Sequence, residues 1–503
     1  MNISFDFNQV TFGLPVETFH VEAYIALEER LPVVTEFVLR LLRICGQVPL
    51  PAFRDYFGFS DGEALAVIES LSRQGLLDVF DDEIQLSRYA IERFEEAGGE
   101  LPRFSKVELK KDTVTFDLIS FTPLRSSSAE IPSDNILKLD TADDVLGQSV
   151  EHARTAYRQR YPEIASMRED FREKSFGVYS VEDVESKRRN YVPVPVAFAL
   201  NQEGQVERRI DEAFERVAPP ELVHFVNEQV TLSIPRTLSV VLPGLEEFID
   251  TFDLKLMQQY LTGKKFDLHT YLKEVHIMRS TKYPRGMDAV FGNLYLQENR
   301  ERIIARIKDR REGRRRHGKL LTSMAWLAPD YPLWGRGGAF AGAVSAFSSE
   351  LQSEKSSDSL YLFACAEQDQ ENSATQQFRV PQLRELHYFR PLLAGGFLQS
   401  GRLELLLYPT AFMIALYHLP IAGSNGLWVP VGFMSTLPKH LDTAQKLLRK
   451  TIGGQRYGKR AQFNLREKRE QPRSFEEACP FLQYCGLNTP RNLDDNIEGE
   501  DST

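Results

Sequence analysis

Ten Lys or Arg residues crowd into Asn299 to Lys319, NRERIIARIKDRREGRRRHGK, against Glu301, Asp309 and Glu312. That is a local excess of +7 in a chain whose formal net charge is −10. A second run, Lys439 to Arg473, sets eleven Lys and Arg against Asp442, Glu467 and Glu470, an excess of +8. Guanidinium and ammonium groups in series do one kind of chemistry well: they hold phosphates, often bidentately, and release condensed counterions. The residues placed to do so are Arg306, Arg310, Arg311, Arg314, Arg315, Arg316 and Lys319, assisted by Lys450, Arg456, Lys459 and Arg460. The competing uses are a solvated helix face and a docking surface for an acidic partner. Two separate runs of this strength exceed what a soluble helix needs. Trp326, Tyr331, Trp334 and Tyr457 lie close enough in sequence to stack on unpaired bases, or else to anchor a core.

Candidates for catalysis are sparser. Glu385 and His387, in RELHYF, fall on one face of a strand and could pair as acid and base. His317-Gly318-Lys319 resembles the His-x-Lys half of the phospholipase D motif, in which paired histidines form a phosphohistidine and lysines hold the phosphate. His418, followed by Gly423-Ser424-Asn425, is similar to the later Gly-Ser-x-Asn portion. Both copies depart from the pattern, with Met324 where Asp is required and Pro420 where Lys is required. On that resemblance the nuclease or phosphodiesterase candidates are His317, Lys319, Glu385, His387 and His418. Gly335-Arg336-Gly337-Gly338 is a turn whose backbone amides could hold an anion. The chain contains no GxxxxGK[ST], HExxH or GxSxG, and Cys479 and Cys485 lack the spacing of a zinc site. No metal or cofactor is expected.

The elements that position these residues begin with a legible helical module. Thr35 can cap a helix in which Phe37, Val38, Leu41, Leu42 and Ile44 follow helical spacing, and Gly46 ends the run. Pro51 opens a short second helix, and Ser60-Asp61 cap a third that buries Leu65, Ile68 and Leu71 up to Gly75. Leu77 to Leu86 read as a small hairpin around Asp81-Asp82, and Ser87 starts a further helix. Three helices and a β-wing in this order, over about Leu31 to Phe94, resemble a winged helix-turn-helix domain. That resemblance implies that the third helix and wing would meet DNA through basic side chains. Here Ser60 to Glu83 carries Asp61, Glu63, Glu69, Asp78, Asp81, Asp82 and Glu83 against Arg73 alone, which repels phosphate and favours protein contact or dimerisation.

Beyond it, residues 1 to 30 read as a mixed lead-in. Lys106 to Ile119 reads as a hairpin turning at Lys111-Asp112, Thr141 to Arg172 as largely helical, and Tyr191 to Leu200 as an edge strand. Helices dominate from Ile210 to Met278. Ile303, Ile304 and Ile307 make the start of the basic run an amphipathic helix, and Ser-rich Ala339 to Ser357 reads as a loop or lid. Leu360 to Ala364, Leu403 to Tyr408, Phe412 to Tyr417 and Trp428 to Met434 read as buried strands, and Leu437 to Lys450 as a helix. The expected fold class is a mixed α/β multidomain chain (α+β). Its divisions are a winged-helix domain at 1–100, a β-hairpin-containing mixed domain at 101–235 and a helical segment with the basic helix at 236–320. A C-terminal α/β domain follows at 321–490, then an acidic tail at 491–503. Four thiols, no unbroken apolar span and no signal-like start fit a cytoplasmic protein without a membrane partner. The expected role is a non-catalytic subunit of a multi-protein bacterial assembly, of the kind used in phage defence or by mobile elements. It would bind the backbone of DNA or RNA and meet protein partners through the winged helix. The alternatives are a nuclease and a pure scaffold.

Overall fold

Helix and strand are interleaved along the whole chain in the structure, a computed structural model. It describes residues 4–29, 32–96, 104–125, 135–167, 175–234, 242, 244–263, 265–277, 283–314, 323–352, 359–365, 377–378, 380–383, 385–389, 401–409, 411–424 and 426–452. Chain contacts divide it into two units, each assembled from separated stretches: Met1–Pro15 with Ser128–Asp140 and Asn190–Thr503, and Val16–Ser127 with Thr141–Arg189. The sequence boundaries were drawn in chain order. The units interleave because two long strands, β1 (Phe5–Glu29) and β8 (Ser175–Leu200), each contribute residues to both.

In the smaller unit β1 runs antiparallel to β5 (Phe104–Asp117), from Val16 opposite Asp117 to Glu29 opposite Phe104. The expected hairpin at Lys111-Asp112 is absent from this stretch, which is one unbroken strand. Asp112 is buried in mid-strand, where it accepts a hydrogen bond from the Tyr157 hydroxyl. The turn comes later, where Asp117 accepts from the amides of Ile119, Ser120 and Thr122, and β6 (Pro123–Leu124) pairs back on β5. Within this unit the strand order is β6-β5-β1-β8. Three short helices follow, α5 (Asp143–Gly147), α6 (Ser149–Gln159) and α7 (Tyr161–Ser166). Tyr157, Tyr161 and Ile164 of α6 and α7 bury the face formed by Phe19, Val21, Ile25, Phe116 and Val184.

Between β1 and β5 the chain forms a separate small core. Its elements are α1 (Val33–Cys45), β2 (Gln47–Pro49), α2 (Leu50–Phe57), α3 (Asp61–Arg73), β3 (Leu77–Phe80), β4 (Glu83–Leu86) and α4 (Arg88–Glu96). The three strands pair in the order β2-β4-β3. Gly58 ends α2 in the left-handed conformation. Ser60 and Glu63 start α3 with a reciprocal capping box, and Ser87 caps α4 by accepting from Ala90 N–H. Val38, Leu42, Phe53, Ile68, Leu71, Ile84 and Phe94 form the core.

In the larger unit β7 (Leu137–Lys138) pairs with the first part of β1, and β9 (Val206–Ile210) pairs antiparallel with the end of β8. The Tyr191–Leu200 stretch is therefore interior, between β1 and β9, and not an edge. Pro193 and Pro195 are tolerated because pairing with β9 begins only at Val196. Helices α8 (Glu212–Val217), α9 (Pro220–Ser233), α10 (Leu245–Thr251) and α11 (Lys255–Gln258) follow. Then come a two-strand hairpin, β10 (Leu261–Thr262) with β11 (Lys265–Phe266), and α12 (Leu268–Tyr271), which runs into a π-helical turn, Leu272–Ile277.

The larger sheet comprises β12 (Met287–Phe291), β13 (Met324–Leu327), β14 (Leu360–Cys365), β15 (Glu385–Phe389), β16 (Leu403–Tyr408), β17 (Phe412–Pro420) and β18 (Trp428–Ser435). Their order is β12-β18-β17-β16-β13-β14-β15, with β13, β14 and β15 parallel and the other pairings antiparallel. Helices cover both faces, so its central strands are apolar at nearly every position instead of alternating. On one face α14 (Gly338–Leu351) packs Phe340 and Phe347 against Trp326; this stretch is a helix and not the expected loop or lid. On the other, Phe248 of α10 meets Tyr417, and Phe252 meets Phe433 and His440 of α15 (Pro438–Ile452). None of the helices among the described residues is long and apolar enough to cross a membrane.

Candidate nucleic-acid interface

The first basic run starts on α13 (Gln297–Arg314), which is fixed to the larger unit from its first turn. Asn299 is buried and donates through Nδ2 to the carbonyls of Phe291 (2.8 Å), Gly292 (3.2 Å) and Asn293 (3.1 Å). Ile303 and Ile307, one turn apart on the same face, are fully buried. Several cations of this helix are already engaged. Arg302 donates to the Ala289 carbonyl at 3.1 Å, Arg306 pairs with Asp288 at 3.4 Å, and Lys308 lies 3.4 Å from Glu350. Arg306, expected on the interface, is therefore partly neutralised, although its side chain is 43% exposed. The helix continues through Arg310, Arg311 and Arg314 in its last turns. The side chains of those three, and Arg315, Arg316, His317 and Lys319 entirely, lie outside the described residues.

The second run starts on α15, whose inner face buries Leu441, Ala444, Leu448 and Ile452. Lys439 reaches Asp253 at 3.2 Å and Lys446 reaches Asp442 at 2.6 Å. Lysine pairing holds the Asp253 carboxyl below the usual carboxylate range. Arg449 and Lys450 sit in the last turn, with Lys450 exposed. Arg456, Lys459, Arg460 and Tyr457 lie outside the described residues, as do Cys479 and Cys485. The other three aromatics proposed for base stacking belong to the core. Trp326 and Trp334 are fully buried, and Tyr331 is 4% exposed and stacked on Trp428 at 4.5 Å.

The structure brings the catalytic candidates into two separate pairs. Glu385 and His387 approach to 3.4 Å on β15, with the imidazole between Tyr361 and Phe363 of β14. His418, on β17, is 2.8 Å from Glu404 on β16, and both side chains are sealed, at 1% and 0% exposure. Glu404 also accepts from the Trp326 indole at 3.0 Å. Arg402 donates to the His418 carbonyl at 3.2 Å and stacks over Trp428 at 4.4 Å, where burial lowers its pKa from the ordinary guanidinium value. The sequence reading missed Arg402 and Glu404. Their signal was there: two charged residues at the start of a strand that is otherwise apolar, which a folded core must pair.

The WGRGG turn does not offer free amides. Gly335 N–H donates to the Tyr295 hydroxyl, Gly337 N–H to Asn135 and Gly338 N–H to Thr11. These three glycine amides, expected to face an anion, are instead taken by Tyr295, Asn135 and Thr11. Burial lowers the Arg336 guanidinium to about 10. Among the described residues no cluster of three or more His, Cys, Asp or Glu could hold a metal ion. Comparison with family models, with curated proteins and with solved structures finds no match to this chain.

Proposed function

We propose that the chain is a non-catalytic subunit that binds the backbone of nucleic acid through its two basic runs. The observation that carries this is how each run is supported where it begins. Each begins on a helix anchored by an apolar inner face, α13 through Ile303 and Ile307, α15 through Leu448 and Ile452. Each stays net basic in sequence past its helix: Arg315, Arg316 and Lys319 follow the first with no acid among them, and seven Lys and Arg follow the second against Glu467 and Glu470. Tracking a phosphate backbone needs charge on a fixed support and no particular side-chain geometry. The burial of His418 and His387 supports the non-catalytic part, since a nucleophile or general base must reach its substrate.

We read residues 32–96 as a winged-helix module on the strength of the helix–strand–helix–helix–strand–strand order and the β2-β4-β3 sheet. Its acidic third helix and wing favour a protein partner over DNA.

The test is fluorescence anisotropy with duplex DNA, single-stranded DNA and RNA at two salt concentrations. Wild type is compared with Arg314/Arg315/Arg316→Ala. Binding should weaken steeply with salt, and the triple variant should show a shallower log–log slope by about 0.9 per lost duplex contact. No binding at the lower salt, or an unchanged slope, overturns the reading.

A further inference from the structure

Helix α1 is apolar on two sides. Thr35, Val38, Leu39 and Leu42 are buried in the module core. With successive residues about 100° apart, Val33, Phe37, Arg40 and Ile44 share the opposite face, with Glu36 and Arg43 along one flank. Val33 is 68% exposed, Phe37 56% and Ile44 83%. A surface helix of a monomer needs a single apolar stripe, so the second one lacks a reason within the module. The polar residues beside it are mixed in sign, Glu36 bridging Arg40 at 2.8 Å and Arg43 lying over Phe94 at 5.7 Å.

We propose that this face docks a second copy of the chain, α1 against α1 in antiparallel register. A patch that binds its own copy must complement itself about a two-fold axis. The register that sets Val33 against Ile44 of the second copy also brings the Glu36 flank of each helix beside the same flank of the other. Glu36 then faces Arg40 and Arg43 of the second copy, and the exchange is repeated by symmetry. Parallel pairing about a two-fold axis would set the Glu36 flank of each helix beside the Val34 and Leu41 flank of the other, leaving Glu36 without a cation across the seam. The other exposed apolar residues of the module include Leu65 on α3 and Val79 and Phe80 on β3, beside Asp61, Glu63, Glu69, Asp78, Asp81, Asp82 and Glu83. Self-docking there would oppose acid to acid, which disfavours that surface relative to α1.

Sedimentation velocity on the full chain over a concentration series tests this. Wild type should dimerise. Phe37→Glu and Ile44→Glu should be monomeric with unchanged circular dichroism, because both positions are solvent-exposed in the module. Glu36→Arg alone and the double variant Arg40→Glu/Arg43→Glu should each weaken association about tenfold or more, because every contact of residue 36 across the seam then joins like charges. An equimolar mixture of those two variants should regain a dimer, as a heterodimer in which every contact is again opposite in sign. A wild type that stays monomeric, a dimer that survives Phe37→Glu and Ile44→Glu, or a mixture that remains monomeric overturns the proposal.

Discussion

Glu404→Ala is the sharpest perturbation of the larger unit. The carboxylate is fully buried and serves two partners, the His418 imidazole at 2.8 Å and the Trp326 indole at 3.0 Å. Removing it strands both groups among Leu, Phe and Trp side chains. The bond to Glu404 is through His418 Nε2, and the other ring nitrogen, Nδ1, has no hydrogen-bond partner among the described residues to share the load. Each buried polar group left without its partner costs about 1–3 kcal/mol, so stranding two should cost about 2–6 kcal/mol. Glu404→Gln keeps an acceptor for one partner and should cost about 1–3 kcal/mol, the range for one unsatisfied buried group. Urea unfolding followed by tryptophan fluorescence isolates the effect, because all three tryptophans of the chain, Trp326, Trp334 and Trp428, lie in the larger unit. The expected order of midpoints is wild type, then Gln, then Ala. A Glu404→Ala transition within about 1 kcal/mol of wild type would refute the reasoning, because that is the cost of a typical surface-exposed pair.

Two further outcomes follow from the same unit. A Cβ on Gly432 would stand 2.0 Å from the Ala415 carbonyl oxygen, a backbone atom held in the β17–β18 ladder, so Gly432→Ala should lower stability by about 3 kcal/mol or more, read by the same fluorescence transition. Asn299→Ala removes three bonds that anchor α13 and should cost about 1–3 kcal/mol. Hydrogen exchange should then rise in α13 while β16 and β17 stay protected; uniform protection would show that Ile303 and Ile307 suffice.

Local signals were the ones legible in advance. In residues 32–96 the stops at Gly46, Gly58 and Gly75 and the caps at Ser60 and Ser87 lie within a few residues of the elements they bound, so the element order could be read directly. Thr35 was misplaced as a cap, since α1 starts at Val33 and turns Thr35 inward. The long strands were not legible because their partners are remote: His20 pairs with Thr113, so the polar alternation of residues 4–29 has no local turn to reveal it. Helix α14 was hidden by composition. Its Gly, Ala and Ser residues suggest a loop, yet the small side chains let the helix approach Trp326 and present Phe340, Phe347 and Leu351 inward. His418 drew notice for its spacing to Gly423-Ser424-Asn425, but its carboxylate partner lies fourteen residues away on the neighbouring strand, and only the β16–β17 register brings them together.

The pairing of Glu29 with Phe104 has a consequence for the order in which the chain acquires its shape. The 32–96 segment interrupts one antiparallel ribbon, so β1 has to await a partner made some seventy-five residues later. Closing so long a loop from an unstructured chain is entropically costly and slow. A segment that folds on its own small core brings its two ends together first and shortens the effective loop to the few residues flanking it. Condensation of residues 32–96 before β5 is made would thus act as a clasp, placing β5 beside the strand it must join.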